Sequence, residues 1–294
     1  MYSFSYYSKL YLDFKKHELK SSTLDKYTHI INDRLNPVFG DIQIKDIKPS
    51  NIKTWLYGID DLGAKSKRIY LGVLSGIFQE ALYDEVIQRN PIKVIRLPKL
   101  NTPKIKPFNA DEVQKIMSYT NNDNYRYYLA IAFYTGMRSG EIMALKKSDI
   151  DLDNDIIIVQ RTRSRYGESS PKTDYSIREI PIINLLKPYL FELYNKHDHE
   201  YLLITQYKEP YRDNSVFQKQ FWKPALEYLN IPYRRPYNTR HTYATNMLYH
   251  NLVTPVQLSQ LLGHSNTQMV YDVYVRYLEK FNSNFDKCIN MYKW

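Results

Sequence analysis

Apolar positions in the first hundred residues recur at intervals of three and four, the spacing of helices with one buried face. Leu24, Tyr27, Ile31 and Leu35 form one such series, with Ser22 or Thr23 placed to cap it and Asn36, Pro37 and Gly40 placed to close it. Ser50 offers a second start ahead of Ile52, Leu56 and Ile59. A longer helix is expected from about Ala64 to Val86, with Ile69, Val73, Ile77, Ala81 and Leu82 on one face and Lys65, Lys67 and Arg68 near its start. These segments predict an all-helical unit over residues 1–97 with a basic side. The stretch LPKLNTPKIKPF that follows has three prolines, three lysines and no period of either kind, so residues 98–107 read as an extended linker. Its Lys104 and Lys106 suit a phosphate backbone and equally suit a solvated linker.

Beyond the linker the pattern becomes mixed. Asn109 and Glu112 form a capping-box pair, and the apolar run YRYYLAIAFYT stops at Gly136. Ser139 is placed to cap the short segment SGEIMALK, which puts Arg138 at a bend between two helices. DIIIVQRT around Ile156–Thr162 and SIREIPI around Ser176–Ile182 read as an antiparallel pair joined by a long polar loop, with Lys172 near the start of the returning strand. Helices are expected from Asp213, over Asn238–Tyr249, and from Thr254-Pro255 to Gly263. The fold class that results is an α-rich two-domain chain, with an all-α domain followed by a mixed α+β domain over 108–294 that carries a small antiparallel sheet.

Charge narrows the partners. Against 31 acidic residues stand 41 Lys and Arg, a net charge of +10, which favours polyanions such as nucleic acid or anionic lipid. No apolar run approaches the roughly 18 residues of a membrane span, and the N-terminus lacks the order of a signal peptide, so a cytoplasmic protein is expected. Cys288 is the single cysteine, which rules out an intrachain disulfide and a cysteine metal cage. With 29 tyrosines in the chain, a catalytic tyrosine has to be identified by position.

Four segments of the second domain carry candidate chemistry: TGMRSGE with Arg138 and Glu141, SSPKTDYSIREIPI with Lys172, YNTRHTYAT with Arg240 and His241, and LLGHSNTQMVYDVY with His264 and Tyr274. Alone, each residue has an ordinary reading: Arg138 as a surface ion-pair partner, Lys172 as a solvated loop lysine easily confused with Lys146, Lys147 or Arg178, and His264 as a helix C-cap. Arg240 is the exception, because a cation at a helix start opposes the helix dipole and better serves an anion. In type and order the four segments resemble the tyrosine recombinases, the phage integrases and Xer-type enzymes. Within the first domain STLDKYTHIINDRLNPVFGDIQIKDIKPSNIKTWL is similar to that family's SAM-like core-binding domain.

The resemblance implies metal-free, ATP-free cleavage and rejoining of double-stranded DNA, with no cofactor. Arg138 and Arg240 would clamp the scissile phosphate, His264 would donate to it, and Lys172 would protonate the 5′ leaving oxygen. A tyrosine would form a 3′-phosphotyrosyl ester that stores the bond energy for rejoining. Tyr271, Tyr274 and Tyr277 stand seven, ten and thirteen residues after His264, and the family's spacing of nine or ten selects Tyr274. Glu141 would orient Arg138, or only favour its helix start, and His241 would support the site from behind. One departure stands out. Three residues before the second arginine, where the family usually has histidine, this chain has Tyr237, whose pKa near 10 makes it a poor base at neutral pH. Lys65, Lys67, Arg68, Lys104 and Lys106 are candidate DNA contacts. The resemblance further implies a homo-tetramer on two DNA sites, with the tail LEKFNSNFDKCINMYKW docking on a neighbour through Leu278, Phe281, Phe285, Ile289 and Met291. The build is either the compact Xer-like one or one that lacks an upstream arm-binding domain. Two other readings stay open on sequence: a type IB topoisomerase-like DNA relaxase, and a non-catalytic DNA-binding protein on the same scaffold.

Overall fold

The computed structural model describes residues 2–97, 105–119, 122–170, 174–275 and 278. They belong to two compact units, residues 1–102 and 103–294. Lys104, Lys172, Tyr277, Cys288 and the tail positions Phe281, Phe285, Ile289 and Met291 lie outside the described residues.

The first unit is helical: α1 (Phe4–Glu18), α2 (Ser21–Ile30), α3 (Asn36–Phe39), α4 (Pro49–Tyr57) and α5 (Ala64–Tyr83). Helix α1 escaped the periodicity because aromatic residues lie on both its faces. Phe4, Tyr7 and Tyr11 are buried while Tyr6 and Phe14 are exposed. The expected helix over 24–35 begins earlier, at Ser21 with Lys20 before it and no side-chain cap, and Asn36 and Pro37 do not close it. Instead Ile31–Leu35 winds as a wider π-helical turn and runs into α3, where Pro37 sits in the first turn and its missing N–H costs nothing. Helix α5 stops three residues short of Val86 because Glu85 adopts φ 59°, and the Val86 N–H turns back onto the Ala81 carbonyl at 3.0 Å. Phe4, Tyr7, Ile31, Leu35, Ile77 and Phe78 meet in the core of this unit.

The second unit comprises α6 (Ala110–Tyr119), α7 (Asp123–Thr135), α8 (Ser139–Ile142), β1 (Ile150–Asp151), β2 (Ile156–Val159), β3 (Thr162–Ser164), β4 (Gly167–Ser169) and β5 (Arg178–Pro181). It continues with α9 (Lys187–Asn195), α10 (Ser215–Phe217), α11 (Lys223–Tyr228), α12 (Asn238–Tyr249), α13 (Pro255–Leu262) and α14 (Gln268–Val270). Strands β1, β2 and β5 form an antiparallel sheet in that order, with Ile157 opposite Ile180 and Val159 opposite Arg178. The loop between β2 and β5, expected to be polar and irregular, carries its own two-stranded ribbon of β3 and β4. Asn109 and Glu112 form the expected capping box, with bonds of 2.9 and 2.8 Å, and Glu112 also pairs with Arg234. Among the described residues no helix is long and apolar enough to cross a membrane.

Helix α7 runs through the main core, buried continuously from Tyr127 to Phe133, and ends where Gly136 takes the left-handed conformation at φ 65°. A smaller core of Tyr243, Leu248, Leu258, Leu262, Val270 and Tyr274 gathers α12, α13, α14 and the turn after it. Gly136 is packed against this second core, since a Cβ there would fall on the Tyr243 ring and 3.1 Å from Leu262. Gly140 is held as closely, because its Cβ would stand 2.5 Å from Thr162 Oγ1. Both glycines of TGMRSGE are thus required by space. Replacing Gly136 with alanine should cost about 2–4 kcal/mol in urea unfolding, combining left-handed strain with overpacking. Gly72, in mid-α5, should do the opposite, because a Cβ there would meet nothing within 4 Å. Gly72→Ala should gain about 0.5–1 kcal/mol in the same measurement.

Candidate active site

Helix α13 opens with a capping box between Thr254 and Gln257 and closes at Gly263, whose φ of 63° turns the chain sharply. The Gly263 and His264 amides bond back to Gln260 and Ser259 at 2.9 and 3.0 Å. The Leu261, Leu262 and Gly263 carbonyls beyond them have no intrahelical donors and carry the negative end of the helix dipole. Three guanidinium groups occupy three successive carbonyls there. Arg178 Nε donates to Leu261 O at 2.6 Å, Arg240 Nη2 to Leu262 O at 2.6 Å, and Arg138 Nη2 to Gly263 O at 3.3 Å.

Two of these arginines share one carboxylate. Glu141 is only 3% exposed, and its oxygens accept from Arg138 Nη1 (2.8 Å), the Arg138 backbone amide (2.9 Å), Arg178 Nη1 (3.2 Å) and Arg178 Nη2 (2.9 Å). Burial works against the charged form of Glu141, but the bonds and charges of Arg178 and Arg138 outweigh it and hold the carboxyl below its usual range. Ser139, expected to cap α8, is its first helical residue instead. Arg138 is the cap position and Glu141 reaches back to its amide. Arg138 stays about one-third exposed and opens onto a cavity of about 420 Å³ lined also by Thr162, Ser176, Tyr237, His264 and Asn266.

Arg240 has a different environment. It is fully buried in the first turn of α12, and its hydrogen bonds among the described residues go to neutral acceptors: Gly136 O at 2.8 Å, Leu262 O, and His264 Nε2 at 2.9 Å. Burial and the neighbouring charge of Arg138 lower its pKa to about 10. Because Arg240 donates to His264 Nε2, that nitrogen accepts, and the imidazole carries its proton on Nδ1. His264 is pushed down to about 4, by burial and then by Arg240, so it is neutral at physiological pH. Two buried donors here, Arg240 Nε and His264 Nδ1, have no hydrogen-bond partner among the described residues.

Tyr274 and Tyr271 are separated by their backbone. Tyr271–Val275 winds as a π-helical turn, which leaves Tyr271 44% exposed and Tyr274 2% exposed. The Tyr274 hydroxyl lies 3.0 Å from His241 Nδ1. Burial raises the Tyr274 phenol above its ordinary value against the pull of Arg240 and Arg138. His241, lowered to about 4 by burial and Arg240, is neutral, and the exposed Tyr237 ring packs edge-on against it at 5.0 Å. The structure therefore brings together Arg138, Glu141, Arg240, His241, His264, Tyr237 and Tyr274. Lysines 146 and 147 are engaged elsewhere, by Glu200 at 3.0 Å and by the His197 carbonyl. In the first unit Lys65 is exposed and Lys67 and Arg68 half-buried at the start of α5, while Lys106 is exposed in the second.

Arg178 is the site residue that the sequence reading passed over. It had a signal: two positions before buried Ile180 on β5, it lies on the strand's inward face, where a charge needs a partner. Substituting Glu141 with glutamine should destabilise the protein by about 3 kcal/mol, since it leaves two arginines facing each other without an anion. Because the folded-state pKa of Glu141 is depressed, its contribution is complete above the ordinary value of 4.5 and disappears as pH falls through the lower folded value. Denaturation of wild type and Glu141→Gln at a series of pH values should show the gap full near pH 7 and closing below pH 4.

The sequence matches the phage integrase family over residues 106–280 and the phage integrase N-terminal SAM-like domain over residues 3–58. It is 28% identical over 306 residues to a tyrosine recombinase XerC-like protein of Caldanaerobacter subterraneus, covering 92% of this chain and 78% of that one. The fold is similar to that of the Tn1549 transposon integrase solved with a circular intermediate DNA (TM-score 0.77, 22% identity, 91% of this chain and 94% of that chain). It is equally similar to that of lambda integrase solved as a tetramer on a Holliday junction (TM-score 0.76, 22% identity, 91% and 79%). With more than half of its length matched by the catalytic-domain family, and its arginines, histidine and tyrosine gathered at one helix end, the chain belongs to the phage integrase family, the tyrosine recombinases.

Proposed function

We propose that this protein is a site-specific recombinase that cuts and rejoins duplex DNA at the α13 helix end, with Tyr274 as nucleophile and Arg138 and Arg240 as the phosphate clamp. The observation that carries this reading is the charge balance at Arg240. A fully buried guanidinium that among the described residues bonds only to neutral acceptors, beside Arg240 Nε and His264 Nδ1 donors without a partner among them, is costly unless an anion completes it. A phosphodiester supplies that anion, and the charge that its oxygens gain during displacement strengthens each of these bonds. Arg138, held by Glu141 and open to the cavity, approaches the same phosphate from the solvent side. Tyr274 attacks phosphorus, a 3′-phosphotyrosyl ester forms, and the 5′ oxygen leaves with a proton, the role assigned to Lys172. The 5′ hydroxyl of a second strand then reverses the step, so rejoining needs no ATP.

The net charge of +10 favours a DNA partner, with Lys65, Lys67, Arg68, Lys104 and Lys106 as backbone contacts. The lambda integrase tetramer offers a precedent for assembly, and for this chain we assign a homo-tetramer on two DNA sites with exchange of the C-terminal tail. A cytoplasmic location belongs to the same proposal. The division into a core-binding domain over 1–97, a linker over 98–107 and a catalytic domain over 108–294 belongs to the same proposal.

A nicked suicide duplex carrying the element-end sequence should trap a covalent protein–DNA adduct with wild type and with Tyr271→Phe. Tyr274→Phe should form none, and an adduct that persists in it would remove Tyr274 as nucleophile. Crosslinking on DNA with two cognate sites should yield a four-protomer species, whereas a monomer under those conditions would count against the assembly.

A further inference from the structure

We propose that His241 accepts the proton of the Tyr274 nucleophile, its Nδ1 lying 3.0 Å from the Tyr274 hydroxyl in a site where Tyr237 stands at the usual histidine position. This rests on the recombinase reading and assigns it a base. The phenol cannot attack as an anion formed beforehand, because burial holds its proton on. Of the two imidazoles nearby, His264 has its acceptor nitrogen taken by Arg240, which leaves only a donor. His241 is neutral, and in the tautomer that carries its proton on Nε2 the Nδ1 lone pair accepts from the Tyr274 hydroxyl. Tyr237 packs its ring against His241 and is itself a phenol, unsuited to take a proton at neutral pH.

The groups that bear on His241 explain when it becomes basic. Arg240 precedes it on α12, His264 reaches the same site from the end of α13, Tyr237 covers it, and Tyr274 faces it from the π-helical turn. Burial comes first and the Arg240 charge second in disfavouring the imidazolium. A phosphodiester seated on Arg240 offsets that charge and raises the basicity of His241 at the moment when a base is needed. As the Tyr274 oxygen bonds to phosphorus, its proton moves to His241 Nδ1, the bond from phosphorus to the 5′ oxygen breaks, and that oxygen takes a proton from the general acid. On rejoining, the 5′ hydroxyl returns its proton to the deprotonated general acid and attacks, the bond from Tyr274 to phosphorus breaks, and the imidazolium returns its proton to the phenolate oxygen. The base is idle until DNA is bound.

Single-turnover cleavage of the nicked suicide duplex between pH 6 and 9 tests this, using wild type, His241→Asn, His241→Gln and Tyr274→Phe. Asparagine keeps an acceptor near the phenol but cannot take a proton, so it separates proton transfer from mere positioning. Wild type should cleave at a rate independent of pH. His241→Asn should bind the duplex as wild type does, cleave about 10²–10⁴-fold more slowly at pH 7, and speed up tenfold per pH unit as hydroxide takes over the proton. A substrate with sulfur in place of the 5′ bridging oxygen, whose leaving thiolate needs no acid, should leave that defect unrepaired. Cleavage by His241→Asn within threefold of wild type with the same pH profile, or its rescue by the sulfur substrate, would overturn the assignment. If neither His241 variant binds DNA, a wild-type rate that itself climbs tenfold per pH unit would also overturn it, and a flat one would support it. Failure of wild type to form any adduct, or an adduct in Tyr274→Phe, would instead count against the recombinase reading.

Discussion

Three arginines converge on the last three carbonyls of one helix. The C-terminal end of α13 offers Leu261, Leu262 and Gly263 oxygens in sequence, and Arg178, Arg240 and Arg138 take one each. Guanidinium groups repel one another, and the helix dipole, the unsatisfied carbonyls and the Glu141 carboxylate together let them gather this closely. The helix end is itself fixed by Gly263, where a Cβ would meet Arg178 Nη1 at 3.0 Å as well as strain a left-handed backbone. One residue thus controls both the end of the helix and the room for an arginine.

The balance of charge within that cluster is unequal in its effect. Glu141 pairs with both Arg138 and Arg178 and fastens β5 to α8, so that half of the site holds its geometry with a single positive charge in excess. Arg240 lies on the other side, where among the described residues it has neutral acceptors and an Nε without a partner. In the proposed reaction the first half gives geometry and the second gives affinity for an anion, because a buried unbalanced cation gains most from a phosphate. Burial first and that charge second keep the imidazoles of His241 and His264 neutral, so each has one donor nitrogen and one acceptor nitrogen.

The π-helical turn at Tyr271–Val275 links the small core to the chemistry. On regular helical geometry, tyrosines at positions 271 and 274 would share neighbouring faces. The wider turn sends Tyr271 outward and lets Tyr274 pack among Tyr243, Leu258 and Val270 with its hydroxyl on His241. The proposed nucleophile is therefore also a core residue, and its burial holds the proton that the proposed reaction has to remove.

Much of this was legible in the chain. Helices with one apolar face, the Asn109–Glu112 and Thr254–Gln257 caps, the stop at Gly136 and the β2–β5 pair follow from local periodicity and backbone sterics, which a sequence carries residue by residue. The identity of Arg138, Arg240, His264 and Tyr274 as candidates was legible too, through motifs and spacing. Helix α1 was not, because aromatics on both faces blur the period, nor was the passage of the chain through Pro37, because a π-helical turn leaves no periodic mark. The roles of Arg178 and His241 were decided only in three dimensions. Glu141 meets Arg178 across 37 residues and His241 meets Tyr274 across 33, and contacts of that range depend on how α8, β5, α12 and the turn after α14 pack. Sequence determined which groups could do chemistry; tertiary packing decided which were buried, which were paired and which nitrogen faced the phenol, because burial and charge proximity are properties of the assembled site.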